Sequence, residues 1–150
     1  MGDVTKTVAL DYGERRVGVA VADSEVRMAL AHGCVEAKSQ GDILEGVARV
    51  CRQLGADRIV VGKPLNMDGS EGPAAKQAVK FAETLRSMLG VPVHMWDERL
   101  STVSAERALI DADMSRGRRK KVRDKMAARI ILQSFLDNET GWDAAGAGVE

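Results

Sequence analysis

Residues Thr7–Ala22 read TVALDYGERRVGVAVA, and this stretch decides the fold. Thr7–Asp11 is a short apolar run that ends in an acid, and Val17–Ala22 alternates valine with glycine or alanine. Because strand side chains alternate between faces, the second run has one bulky face and one nearly bare face. A bare face lets a helix or a ligand approach the backbone closely. Gly13 lies between the runs, which predicts a hairpin turn.

The remaining pattern predicts a mixed sheet. A third strand over Met28–Glu36 would complete an antiparallel meander. Later strands that alternate with helices predict parallel pairing. The predicted fold class is therefore α/β, with a five-stranded sheet whose first three strands are antiparallel, whose later strands are parallel, and whose two faces carry helices. The predicted later elements are helices over Asp42–Leu54 and Pro73–Leu89, strands over Arg58–Gly62 and Val91–Trp96, a helix capped by Ser101 or Thr102 that runs to about Asp111, a polar mobile segment over Asp113–Arg119, and a helix over Val122–Leu136.

Length and composition limit the possible classes. A chain of 150 residues, 45% hydrophobic and 29% charged, suits one compact globular domain, predicted over residues 1–137, with residues 138–150 as a flexible tail. Cys34 and Cys51 are too few for a disulfide framework and are predicted to be small core residues. No apolar stretch resembles a signal peptide or a membrane span, so the chain is expected to be cytoplasmic and to have no membrane partner.

Charge is balanced globally and concentrated locally. The 22 basic and 22 acidic residues give a net charge of zero, which does not indicate a nucleic-acid binder. A basic run nevertheless surrounds the single acid Asp124. It could be a solvated helix start, but its position beside an inward-facing acid favours contact with phosphates. The run comprises Arg116, Arg118, Arg119, Lys120, Lys121, Arg123 and Lys125.

Asp124 itself lies on an apolar helical stripe. Ala127, Ala128, Ile131 and Phe135 follow it at offsets of three, four, seven and eleven, so all share one face. A carboxylate on a core-facing stripe must recover its lost hydration from hydrogen bonds, a cation or a metal. A buried structural Asp paired with an Arg or capping a helix explains this helix equally well.

Two other acids favour the functional alternative. Asp11 ends the first strand, and Glu98 ends or just follows the last one; sites in α/β folds collect at strand ends. Clustered carboxylates need a cation, and oxygen ligands suit Mg²⁺, with Mn²⁺ as a substitute. Paired metal ions can cleave phosphodiesters. Because neighbours point to opposite faces, Glu98 is favoured over Asp97, which is expected to accept hydrogen bonds in a loop.

Four ordered blocks of the sequence resemble the YqgF/RuvX family of pre-16S rRNA nucleases and Holliday-junction-resolvase-like proteins. The resemblance covers residues 7 to 137. It implies an RNase H-like fold similar to that of RuvC-type resolvases, with Asp11, Glu98 and Asp124 as the metal-binding catalytic acids. The blocks are Leu10–Gly13 with Arg16–Ala20, Val61–Ser70, Trp96–Thr102, and Asp124–Ala128 with Ile131–Gln133.

Further nucleic-acid contacts are predicted around the same blocks. Lys63 and Asn66 lie in a loop that could reach nucleic acid, although its turn chemistry would require Asn and Gly residues anyway. Arg99 could contact phosphate, but pairing with Asp97 is slightly favoured. In the basic run, the predicted contacts are Arg118, Arg119, Lys120 and Lys121.

The predicted function is therefore a Mg²⁺-dependent nuclease that processes pre-16S rRNA ends during ribosome biogenesis. The alternatives are a resolvase of Holliday junctions or other structured DNA, and a non-catalytic RNA-binding or transcription-associated factor. An ATPase or kinase of the actin/sugar-kinase class is a further rival, because Asp11–Gly13 followed by Gly18–Val21 resembles its phosphate-binding hairpin. Its two-domain architecture needs more than 150 residues. The expected partner is nucleic acid, bound by a monomer or homodimer.

Overall fold

The computed structural model describes residues 4–113 and 116–139; for residues 104, 111, 113 and 116–125 the backbone alone is described. A short 3-10 turn, Glu98–Leu100, directly follows the last strand. The strands of the described residues are β1 (Lys6–Asp11), β2 (Arg16–Asp23), β3 (Leu30–Glu36), β4 (Arg58–Lys63) and β5 (Val93–Asp97). Their helices are α1 (Gln40–Leu54), α2 (Pro73–Leu89), α3 (Val103–Asp113) and α4 (Arg116–Asn138). No helix in this part of the chain is long and apolar enough to cross a bilayer.

The five strands form one mixed sheet in the order β3-β2-β1-β4-β5. β2 pairs antiparallel with both β1 and β3, whereas β4 pairs parallel with both β1 and β5. The predicted fold class is thus confirmed. Because β1, β4 and β5 are parallel, their carboxyl ends meet at one edge of the sheet, and side chains that follow those strands come together there.

Helices cover both faces of the sheet, and each face has its own core. Val8 and Leu10 of β1 pack with the buried residues of α1 and α2. Ala9 and the bare face of β2, Ala20 and Ala22, pack with α4. The bare face therefore admits a helix, as the sequence predicted. The buried residues of α4 include the predicted stripe, Ala127, Ala128, Ile131 and Phe135.

Helix ends follow the glycine signals, but α4 is longer than predicted. Gly55 and Gly90 adopt left-handed φ values of 69° and 71° after α1 and α2. α4 begins at Arg116, so the expectation of a mobile segment is wrong for residues 116–119. Lysine and arginine are good helix formers, and the polar composition of this stretch concealed a helical start. α4 ends at Asn138, one residue beyond the predicted domain boundary.

β3 is the outermost strand on its side of the sheet. Its register with β2 shifts between Val19 and Ala20, and Gly33 has a φ of 146° that other residues rarely adopt. Cys34 is exposed, so its prediction as a core residue is wrong, whereas Cys51 is buried in α1. An edge strand with one solvated face leaves too little cover to bury its small residues.

An ionic cluster fastens the carboxyl end of α4 to the sheet. Glu139 is only 7% exposed and accepts hydrogen bonds from Arg58 (2.8 Å) and Arg27 (3.3 Å). Arg58 also donates to the Thr7 hydroxyl and lies over the Phe135 ring, 5.0 Å from its centroid. One buried carboxylate therefore joins the amino end of β4, the β2–β3 connection and the end of α4.

Candidate functional site

Two of the predicted acids come together at the carboxyl edge of the sheet. Asp11 is the last residue of β1, on the face that carries Ala9, and is 9% exposed. Glu98 opens the 3-10 turn after β5 and is 4% exposed. β1 and β5 are separated by β4 alone, and both run toward this edge. The fold thus buries two carboxylates where α/β folds commonly place their sites.

A guanidinium from α3 bridges the two carboxylates. Arg107 donates from Nη2 to Oδ1 of Asp11 at 2.6 Å and from Nη1 to Oε1 of Glu98 at 2.9 Å. The carboxylate side chains are 11% and 5% exposed, and that of Arg107 is 27% exposed. Burial makes both charged acids costly, and hydrogen bonds to a shared cation offset that cost. The guanidinium of Arg107 thus lies against two carboxylates at once.

Gly62 makes room for the Glu98 carboxylate. It lies on β4, between β1, which ends in Asp11, and β5, which Glu98 follows. A Cβ placed there would come within 2.6 Å of both Glu98 Oε2 and Ile131 Cδ1. Real Cβ atoms do not approach other heavy atoms so closely, so a side chain at this position would have to displace either the acid or the core of α4. The absence of a side chain at position 62 therefore leaves the space that the Glu98 carboxylate occupies.

Asp97 and Arg99 form a separate pair beside the site. Asp97 accepts from the Arg99 backbone N–H at 2.9 Å and from Nη2 at 2.8 Å. These hydrogen bonds hold the pKa of the Asp97 carboxyl below its usual range. Arg99 also donates to the Met67 carbonyl at 3.2 Å, which ties the 3-10 turn to the preceding loop. Asp97 accepts hydrogen bonds and Arg99 is its partner, although Asp97 ends β5 and does not lie in a loop; contact of Arg99 with phosphate stays a prediction.

The loop after β4 is organised by its own polar groups. Lys63 forms an ion pair with Glu71 at 2.5 Å. Asn66 donates to the Ser70 hydroxyl at 2.9 Å, and that hydroxyl donates to Asp68 at 2.6 Å, which lowers the Asp68 pKa. Lys63 and Asn66 are therefore at the same edge as the carboxylates, each with a protein partner. Their contact with nucleic acid stays a prediction.

α4 is held next to the carboxylates by its buried half. Trp96 of β5 donates from Nε1 to the Ser134 hydroxyl at 3.2 Å, and that hydroxyl donates to the Leu100 carbonyl at 3.3 Å. Trp96 also meets Phe135 edge-on at 5.7 Å. Position 124 lies one helical turn before Ala127 and Ala128, but the Asp124 side chain is outside the described residues. The same holds for the side chains of Arg118, Arg119, Lys120 and Lys121, so their predicted roles stay predictions.

The donor set suits a hard divalent cation. Two buried carboxylates at one point supply the oxygen ligands that Mg²⁺ prefers, and a protein cation already lies between them. Among the described side chains, no three or more His, Cys, Asp or Glu residues form a group that could hold a metal ion. A complete ligand set therefore needs water, substrate or a side chain beyond those described. Asp124 is the side chain predicted for this role.

Sequence reasoning missed Arg107 and Gly62. Arg107 follows the buried Val103 by four residues and precedes the buried Ile110 by three, so it lies on the inward stripe of α3. A charge on an inward stripe is the signal that singled out Asp124, and the same test would have found Arg107. Gly62 gives no such signal, because a glycine at the end of a strand has several explanations.

Comparison with known proteins places this geometry in a family context. The model of the RuvX family, described as a Holliday junction resolvase, matches residues 5–138. A Caldanaerobacter subterraneus protein named "Putative pre-16S rRNA nuclease" is 44% identical over 89% of this chain and 97% of its own length. A Myxococcus xanthus protein with the same name is 48% identical over 88% of this chain and 87% of its own.

Solved structures show the same fold at lower identity. Thermus thermophilus RuvC, in complex with a Holliday junction substrate, superposes with a TM-score of 0.58 and 18% identity, covering 91% of this chain and 96% of RuvC. The fowlpox virus resolvase in complex with its Holliday junction DNA gives a TM-score of 0.55 and 12% identity, covering 91% and 99% of the two chains. The mixed sheet with helices on both faces is thus shared with RuvC-type, RNase H-like proteins.

Proposed function

Because the chain belongs to the RuvX family, we propose that this nuclease processes the ends of pre-16S rRNA by metal-dependent phosphodiester hydrolysis. The observation that carries the proposal is the meeting of Asp11 and Glu98 at one buried point, where the guanidinium of Arg107 already bridges them. The match with the two relatives covers 97% and 87% of their own lengths, and their names support pre-16S rRNA as the substrate.

Asp11, Glu98 and Asp124 are the proposed metal ligands and catalytic acids. Mg²⁺ is the proposed ion, with Mn²⁺ as a substitute, because the donors are hard oxygens. When bound, such an ion lowers the pKa of a water and stabilises the leaving oxygen of the phosphodiester. The residues of this chain do the positioning. Gly62 leaves space for Glu98, and Asp11 is placed by the end of β1. The packed stripe of α4 places position 124 one helical turn before its first buried residues.

Nucleic acid is proposed to approach along the amino half of α4. The basic run lies on this helix between residues 116 and 125, and the carboxyl half of the same helix packs beside the carboxylates. Arg118, Arg119, Lys120 and Lys121 would then hold the phosphate backbone close to the metal ligands. Lys63, Asn66 and Arg99 are proposed contacts at the same edge, where a phosphate would share or replace their present partners.

A second candidate substrate is a four-way DNA junction. The description of the family model as a Holliday junction resolvase favours it specifically. Junction resolution requires paired cuts, which a homodimer would supply and a monomer would not. A non-catalytic binding factor would differ from both candidates in one observable: it would bind nucleic acid but would not cleave it when Mg²⁺ or Mn²⁺ is added.

Cleavage of three labelled substrates side by side tests the proposal. Pre-16S rRNA, single-stranded RNA and a four-way DNA junction are incubated with Mg²⁺ or Mn²⁺. We expect the pre-rRNA to be cut preferentially, and Asp11→Asn or Glu98→Gln to lower cleavage by about 100-fold or more while binding changes little. Glu83→Gln, an exposed acid on α2 across the sheet, is the matched control and should cleave normally. Metal-independent binding without cleavage of any substrate would contradict the nuclease assignment for this site.

A further inference from the structure

Arg107 lies between two of the proposed metal ligands, Asp11 and Glu98. Its Nη1 and Nη2 atoms lie 2.9 and 2.6 Å from one oxygen each of Glu98 and Asp11. The side chain comes from α3, on the inward stripe defined by Val103 and Ile110. A forked guanidinium can satisfy two carboxylates at once, which the point charge of a lysine does less well. The two acids are therefore already neutralised in part by the chain itself.

A guanidinium and a divalent ion placed between Asp11 Oδ1 and Glu98 Oε1 would compete for the same oxygens. A metal bound between Asp11 and Glu98 would take the lone pairs that Arg107 now uses, and its charge would repel the guanidinium. The Arg107 side chain is 27% exposed, so it has a path toward solvent, whereas the carboxylates of Asp11 and Glu98 are only 11% and 5% exposed. The mobile partner in any exchange is thus the arginine.

We propose that Arg107 is an internal cation that holds the metal position in the metal-free protein and is displaced when a divalent ion binds. The inference rests on the proposed metal site. In the metal-free state Arg107 relieves the repulsion between the two buried carboxylates. The apparent metal affinity is then the intrinsic affinity reduced by the fraction of molecules in which Arg107 has left the carboxylates.

Titration of Mn²⁺ into the full-length protein by calorimetry, without nucleic acid, tests the exchange. Arg107→Met keeps much of the apolar stem and removes the competing charge. We expect Arg107→Met to bind Mn²⁺ about 5- to 30-fold more tightly than the wild type, the size of a typical coupling between two ligands. The control is Lys63→Met, which removes the same charge at the same sheet edge but from an ion pair with Glu71. Lys63→Met should change the Mn²⁺ affinity by about twofold or less, because salt screens the effect of a charge that does not contact the two carboxylates.

The outcomes separate the inference from the proposed function. If the wild type binds Mn²⁺ and Arg107→Met binds it equally or more weakly, the exchange is overturned, whereas the proposed metal site is not. Equal gains in Arg107→Met and Lys63→Met would also overturn it, because general electrostatics would then explain both. Absence of Mn²⁺ binding in every variant would overturn the metal site, and the exchange with it.

A second measurement keeps the test valid if Arg107→Met does not fold. The guanidinium resonances of ¹⁵N-labelled wild-type protein are followed by NMR during a titration with Mg²⁺, and Arg107→Lys identifies the signal. We expect hindered rotation and slow proton exchange of the Arg107 guanidinium without metal, and loss of both at saturating Mg²⁺. A guanidinium signal that stays hindered at saturation would contradict displacement.

Discussion

At Gly62 the lack of a side chain decides where Glu98 lies, and one added methyl group tests this. We predict that Gly62→Ala lowers metal-dependent cleavage about 10- to 100-fold, since a misplaced catalytic group is that costly. Stability should fall by about 1–3 kcal/mol, because Ile131 is also within 2.6 Å of the added Cβ. Cleavage assays and urea unfolding measure the two effects.

The matched control is Gly41→Ala in α1. No neighbouring atom lies within 4 Å of a Cβ at this position, and the residue is helical, so the variant should gain about 0.5–1 kcal/mol and cleave normally. Wild-type cleavage by Gly62→Ala would contradict the assigned role of this glycine.

The two cysteines should differ sharply in reactivity. Cys34 is exposed, whereas Cys51 is 2% exposed and burial raises its pKa from 9.0 to about 12. We predict that Ellman's reagent at pH 8 modifies one thiol rapidly in the native protein, and that Cys34→Ser removes this fast phase. Fast modification of two thiols would contradict the burial of Cys51.

Burial of Cys51 also makes stability fall at high pH. The raised folded pKa means that the protonated thiol favours folding below about pH 9, and that this contribution is lost as the pH rises toward about 12. Between pH 9 and 10.5 the wild type should lose up to about 2 kcal/mol more than Cys51→Ala. Urea unfolding of both proteins at the two pH values measures the difference, and parallel losses would refute it.

Single residues were predictable from sequence only where a pattern exposed them. Asp11 and Glu98 stood out because each follows an apolar strand. Arg107 lies on an apolar stripe that the sequence does show, but its partners, 96 and 9 residues away in the chain, could not be inferred from a local pattern. The space that Gly62 provides depends on α4 and the 3-10 turn together, so it exists only once the chain has folded.

At the scale of elements, α4 joins a packed half to a basic half. We predict that neutralising Arg118, Arg119, Lys120 and Lys121 together weakens nucleic-acid binding and flattens its salt dependence. Each lost phosphate contact should remove about 0.7–0.9 from the slope of log affinity against log salt concentration. Fluorescence anisotropy at several salt concentrations measures the slope.

A control with the same charge change isolates the position of the basic run. Neutralising four exposed residues of α1 and α2, on the opposite face of the sheet, should leave the slope almost unchanged. These residues are Arg49, Arg52, Lys76 and Arg86. An equal slope change in the two variants would show that net charge, and not the α4 surface, governs binding.

The elements themselves followed closely from the sequence. The stripe of Ala127, Ala128 and Ile131 predicted the packed half of α4, because apolar periodicity reports burial directly. The start of the helix at Arg116 was missed, since a run of polar residues carries no periodicity and helix propensity alone had to decide. β5 likewise extends one residue past its prediction, to Asp97, which also caps the 3-10 turn.

For the whole molecule, Glu139 fastens the last helix to the sheet. We predict that Glu139→Gln lowers the free energy of unfolding by about 1–3 kcal/mol, because Arg27 and Arg58 lose a buried charged acceptor. Asp137→Asn, an exposed acid two residues earlier, is the control and should change stability by about 0.5 kcal/mol or less. Equal losses in chemical denaturation would contradict a special role for Glu139.

The global topology was predictable because the local patterns of the strands and helices agree with the way in which the chain connects them. Short alternating runs gave the antiparallel part, and strands separated by helices gave the parallel part. The cluster around Glu139 was not predictable, because it joins residues from three distant parts of the chain. Glu139 lies two residues past residue 137, where the sequence predicted the domain to end.

The bulge in β3 bears on how the protein behaves when concentrated. A long flat edge strand offers its unpaired amides as a template for another chain, which is the first step of fibril growth. The shifted register beside Val19 and the unusual φ of Gly33 twist this edge, so that an incoming strand cannot continue the ladder in step. Colloidal stability is therefore built into the backbone of this sheet, in a chain whose net charge of zero provides no repulsion.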